Sequence, residues 1–98
     1  MAKVIFTISY TINPGKRDEY LALSREMKEY LTSSNGKEYS IYEQKGKKNS
    51  FTEVFIFNSM EEYDQLEDQD EKMAGLVQKL EGLLEHSKMK YTTLVELQ

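Results

Sequence analysis

The sequence has no cysteine, no tryptophan, a single histidine and a single proline in 98 residues. Without cysteine there is no disulfide, no thiol nucleophile and no thiolate metal site, so stability has to come from packing, and a reducing compartment suits the chain. With one histidine and no thiol, a transition-metal site is not expected. That histidine, His86, is expected near the C-terminal end of a helix, where the dipole favours its protonated form, and it has no Ser–Asp or Cys arrangement beside it, so a surface role outweighs a catalytic one. No stretch approaches the roughly 20 consecutive apolar residues of a membrane span. Met1-Ala2-Lys3 runs straight into a strand-like segment without a signal-peptide cleavage pattern, and the expectation is a cytoplasmic protein with no membrane partner. A formal charge of −4 disfavours nucleic acid, which needs a clustered basic face. Lys45, Lys47 and Lys48, with Lys37 upstream, form a small cluster in a Gly-containing turn, for which a solvated hairpin tip is expected before an anion site.

The 98 residues suffice for one domain that buries roughly 60–70% of its unfolded surface, and one domain over 1–98 is expected. From Val4 to Ile12 the even positions are Val4, Phe6, Ile8, Tyr10 and Ile12, against Ile5, Thr7, Ser9 and Thr11 at the odd ones, a strand by its period of two. Asn13-Pro14-Gly15 stops it, with Asn13 placed to cap a helix from about Lys16 to Leu31. Its apolar stripe is Tyr20, Leu23, Met27, Tyr30 and Leu31. Asn35 or Gly36 is the expected helix stop. Glu38 to Gln44 and Phe51 to Phe57 are strands joined by a polar link short enough for an antiparallel hairpin. Ser59-Met60-Glu61-Glu62 is a capping box opening a helical segment whose stripe breaks at Glu67-Asp68-Gln69-Asp70, where a kink is expected. Tyr91 to Leu97 is the last strand. The order βαββαβ is the split βαβ, or ferredoxin-like, plan: an α+β fold with a four-stranded antiparallel sheet carrying both helices on one face.

That plan leaves one face bare. The second hairpin strand has Phe55 and Phe57 on one side and Val54 and Ile56 on the other. If Val54 and Ile56 meet the helices, then Phe55 and Phe57, with Phe51 a further candidate, form an exposed patch, and a second copy packed on it makes a two-fold symmetric barrel.

On these residues the chain resembles the dimeric α+β barrel superfamily, in particular its antibiotic biosynthesis monooxygenase-like branch. The resemblance spans nearly the full length and rests on Ile12-Asn13-Pro14-Gly15-Lys16-Arg17-Asp18-Glu19-Tyr20, on Gly36 into Tyr39-Ser40-Ile41-Tyr42, and on Glu53-Val54-Phe55-Ile56-Phe57-Asn58-Ser59 running into Glu61-Glu62-Tyr63. It implies a ligand space between the two sheets of a dimer. Oxygenases of that branch carry a Trp at the end of the third strand and a His on the following helix; here the corresponding positions are Phe57 and Leu66, which weighs against oxygenase chemistry.

Glu53 is the best catalytic candidate. It shares a strand face with Phe55 and Phe57, and a partly desolvated carboxylate there would have a raised pKa, suited to a general base or a ligand anchor; a structural hydrogen bond or an ion pair across a dimer is the plainer alternative. Thr7, Ser9 and Tyr42 complete the candidate ligand set with Glu53, Phe55 and Phe57. The segment from Glu61 to Glu71 holds seven acids and no base but lacks calcium-loop spacing, so a solvated helix face is expected. The five glycines are isolated, with no phosphate-cradling loop, and no resident cofactor is expected. The functional expectation is a homodimer that binds a small apolar or aromatic molecule between its sheets, with a cofactor-independent monooxygenase or related enzyme as the alternative.

Overall fold

The computed structural model describes residues 2–34, 38–65, 71–86 and 88–97. Four strands, β1 (Val4–Thr11), β2 (Glu38–Glu43), β3 (Ser50–Phe57) and β4 (Lys90–Val95), form one antiparallel sheet in the order β2-β3-β1-β4. Among the described residues three α-helices are interposed: α1 (Arg17–Glu29), α2 (Met60–Asp64) and α3 (Glu71–Glu81). This is the expected ferredoxin-like α+β arrangement. No helix among the described residues is long and apolar enough to cross a membrane.

The local signals act where the sequence places them. Asn13 Oδ1 accepts from the Gly15 amide at 2.9 Å, and Pro14–Lys16 form a single tight turn leading into α1. Ser59 Oγ accepts from the Glu62 amide at 3.2 Å at the start of α2. The α1 stripe buries Tyr20, Leu23 and Met27, and the chain leaves the helix through a wider turn, Tyr30–Ser34, that buries Leu31. The expected helix stop at Asn35 or Gly36 and the expected kink at 67–70 lie outside the described residues. α3 ends at Glu81, so His86 stands exposed beyond the helix, on the stretch leading to β4.

The helices cover the opposite face of the sheet from the one expected. Register joins Val4 to Phe57, Phe6 to Phe55, Ile8 to Glu53 and Tyr10 to Phe51, so the even residues of β1 and the odd residues of β3 share a face. Tyr20 of α1 packs on Phe51 with ring centroids 4.3 Å apart, and Tyr63 of α2 meets Phe57 edge-on at 5.5 Å. Phe51, Phe55 and Phe57 are therefore core residues, while Val54 and Ile56 are the half-buried ones on the uncovered side. The physical reason is area: the covered face pools two aromatic rings from β1, Phe6 and Tyr10, and three from β3 with Tyr39 of β2, whereas its reverse carries Thr7, Ser9, Thr11 and Thr52. The uncovered face nonetheless keeps an apolar band, because Ile5 pairs with Ile56 on one side and with the exposed Leu94 on the other.

Candidate functional site

Glu53 sits at the centre of the sheet's covered face. It is paired with Ile8 and Ile41 on the neighbouring strands and is only 3% exposed, the one buried acid among the described residues. A carboxyl group so placed must be hydrogen-bonded or neutral. The Tyr39 hydroxyl donates to Glu53 Oε1 at 2.7 Å. Tyr10 also favours the charged carboxylate as a hydrogen-bond partner, and its hydroxyl lies 2.7 Å from that of Tyr20. The donor direction that satisfies every phenol is Tyr20 to Tyr10 to Glu53, with Tyr39 donating from the other side.

The electrostatics follow from burial. Desolvation raises the Glu53 pKa, with the bonds from Tyr39 and then Tyr10 working against it. The same burial, together with the nearby carboxylate, pushes the Tyr39 and Tyr10 phenols well above their ordinary range, and burial raises Tyr20 as well. Burial thus favours the neutral form of Glu53, while the phenols that hold it favour the charged one. Around it stand Phe55, stacked parallel to Phe57 at 6.3 Å and tilted against Tyr39 at 4.7 Å, and Phe6, 5.9 Å from Phe55.

The six candidate ligand residues do not form one site. Glu53, Phe55 and Phe57 lie beneath the helices. Thr7 pairs with Val54, and Ser9 and Tyr42 both pair with Thr52, so these three face the open side; the expected single space between two sheets is corrected to two separate environments. Strand pairing forces the split, since residues directly opposite one another share a face. Phe57 stands at the end of β3, as expected, while Leu66 lies outside the described residues. Tyr10 and Tyr20 were not singled out by the sequence. Nothing in their spacing relates a strand to the following helix, and the visible signal was only that each falls on an apolar stripe.

A second polar cluster clamps the molecule at the hairpin. Arg17, in the first turn of α1, makes a bidentate pair with Glu43 at 2.7 and 2.9 Å, and its Nη1 also donates to Asn49 Oδ1 at 2.8 Å. The Arg17 guanidinium and the Asn49 amide hold the Glu43 carboxyl down at about 2.

No protein-family model matches the sequence, and no curated protein matches it. Solved structures do match. Rv0793 from Mycobacterium tuberculosis superposes with a TM-score of 0.78 at 18% identity, over 98% of this chain and 96% of that one. SnoaB, a cofactor-independent oxygenase from Streptomyces nogalater, gives 0.74 at 12% identity, over 98% and 94%. A NIPSNAP family protein from Agrobacterium tumefaciens gives 0.66 at 18% identity, over 94% and 90%. At these identities the likeness is one of fold. The chain has the ferredoxin-like α+β fold found among antibiotic biosynthesis monooxygenase-like proteins, as the resemblance in its sequence implied.

Proposed function

We propose that this protein is a homodimer that binds a small, largely apolar or aromatic molecule beneath its helices, with Glu53 as the polar anchor. The observation that carries the reading is the Glu53–Tyr39 pair, a hydrogen-bonded carboxyl group buried among aromatic rings. A core built for stability alone gains little from a buried acid, because apolar replacements of similar volume are often as stable. A ligand with one carbonyl or hydroxyl among aromatic carbons matches both the bonding and the walls. Dimerisation is argued from the open face, where Ile5, Val54, Ile56 and Leu94 form a continuous apolar band on the side without helices.

The lack of tryptophan leaves tyrosine as the intrinsic fluorophore, so binding of hydroxylated aromatic compounds can be followed by quenching of its emission. Saturable quenching by the native protein that weakens about tenfold in Glu53→Gln and in Tyr39→Phe supports the reading. Equal affinities in all three proteins would refute it. A second reading, a cofactor-independent oxygenase, draws on Glu53 as a base for an acidic phenol and on the fold shared with SnoaB. It requires oxygen uptake with quinol-type substrates that disappears in Glu53→Gln.

A further inference from the structure

Where β1 ends and β3 begins, at the root of the β2–β3 hairpin, a cleft of about 460 Å³ opens at the sheet's polar end. Two hydroxyl rungs line it: Ser9 Oγ is 2.9 Å from Thr52 Oγ1, and Thr11 Oγ1 is 2.8 Å from Ser50 Oγ. In each rung one hydroxyl proton is spent on the neighbouring oxygen, and the other proton has no acceptor among the described residues. Two uncommitted O–H donors therefore lie side by side on the strands. Lysines border them from separate parts of the chain, Lys47 from the hairpin and Lys88 and Lys90 from the approach to β4, and His86 stands in the same wall. Among the described lining residues none is acidic, although the chain as a whole carries four more acids than bases.

This is more than a solvated hairpin tip. Lys47 is fixed through its main chain: its amide donates to the Gln44 carbonyl at 3.1 Å, and its carbonyl accepts from the Ser50 amide at 3.2 Å. Gly46 at φ 84° and Asn49 at φ 69° make the left-handed bends that this loop requires, and the Arg17–Glu43–Asn49 clamp locks its base. Lys45 and Lys48, its neighbours in sequence, stand outside the cleft. The opposite wall is tied down where the Glu85 amide donates to the Thr11 carbonyl at 3.0 Å and where Lys90 pairs with Ser9.

We propose that this cleft is a binding site for a small, oxygen-rich anion, either a phosphate ester or a polycarboxylate. Its charged group takes the free strand hydroxyls and is neutralised by the lysines, the combination of fixed neutral donors and mobile ammonium groups that suits oxyanions. The volume falls in the range of small-molecule sites. The site is independent of the aromatic-ligand reading. Its hydroxyls lie on the open face, opposite Glu53, and at the polar end of that face away from Ile5 and Leu94.

Calorimetric titration of the full chain with glycerol 3-phosphate and with citrate, and with glycerol as the uncharged counterpart, tests the proposal. The expected result is one saturable site per chain for at least one anion, with a dissociation constant at or below about 1 mM, and no binding of glycerol. Preference for glycerol 3-phosphate identifies a phosphate ester, and preference for citrate a polycarboxylate. The double variant K88Q/K90Q is expected to weaken binding about tenfold or more, while K45Q leaves it unchanged. Thr52→Val, which keeps the side chain's shape and removes a hydroxyl, is expected to weaken it several-fold, and it decides the matter if the double variant fails to fold. Failure of both anions to saturate, equal loss in K45Q and K88Q/K90Q, or full binding by Thr52→Val with the lysines intact would overturn the proposal.

Discussion

The two faces of this sheet are built from the same four strands and yet follow opposite rules. Beneath the helices, β1 and β3 present Tyr10, Phe51, Phe55 and Phe57, with Glu53 the sole acid, held by phenols. On the reverse the same strands present Thr7, Ser9, Thr11 and Thr52, whose hydroxyls pair across the strands or face solvent, and an apolar band confined to one end. Side-chain area decides which face receives the helices, because each large ring removed from water contributes about 1.5–3 kcal/mol. Hydroxyls are left where water or a ligand can reach them.

Substitutions at adjacent positions of β3 put this contrast to its strongest test. Phe55→Ala should cost about 3–5 kcal/mol in urea unfolding, the range for emptying a core site of this size. Val54→Ala, one residue along and on the open face, should cost under about 1.5 kcal/mol once measured on the monomer. Equal losses would mean that the faces are not energetically distinct. Tyr39→Phe removes a donor from Glu53 and should cost about 1–3 kcal/mol, with the larger part appearing at high pH, where the carboxylate is ionised and short of a partner. Val54→Asp should leave the subunit folded but convert a dimer into a monomer by sedimentation at micromolar concentration; an unchanged mass would remove the apolar band as a dimer contact.

The smallest effects come from the two best-defined carboxyl groups, which pull stability in opposite directions with pH. Burial raises Glu53 above its usual 4.5, so the folded state binds its proton more tightly than the unfolded chain does. Its contribution is full below about 4.5 and declines as pH rises through the folded value. Glu43 is held at about 2, so its contribution is full above 4.5 and is lost as pH falls towards 2. Urea midpoints measured across this range should show Glu53→Gln flattening the upper slope and Glu43→Gln flattening the lower one. A variant that flattened the other's slope would reverse the assignment.

Much of this architecture was legible in the sequence, and what was not has a common cause. Val4 to Ile12 announces its strand and its apolar side by simple alternation, and Asn13 and Ser59 announce the helix starts, because these signals act within a few residues. The orientation of β3 did not follow in the same way. Phe55 and Phe57 on one side and Val54 and Ile56 on the other are both apolar, and only the pairing of Phe6 with Phe55 ties the aromatic side to the buried face of β1. Glu53 was recognisable as an acid on an aromatic strand face, but its phenol partners come from β1 and β2, and Tyr20 of α1 joins them only through Tyr10. The cleft was less legible still, because Lys47 and Lys90 become neighbours only when the hairpin and β4 close on β1.

The buried phenols also give the protein an optical gauge of its own opening. Of its seven tyrosines, Tyr10, Tyr20 and Tyr39 are shielded so that they resist ionising in alkali. Each favours the folded chain until base begins to strip protons from the unfolded one, near a pH of about 10. Phenolate absorbance from these three should therefore appear only at the pace at which the sheet and helices part, so that a jump into alkali times the separation of the two layers without any added label.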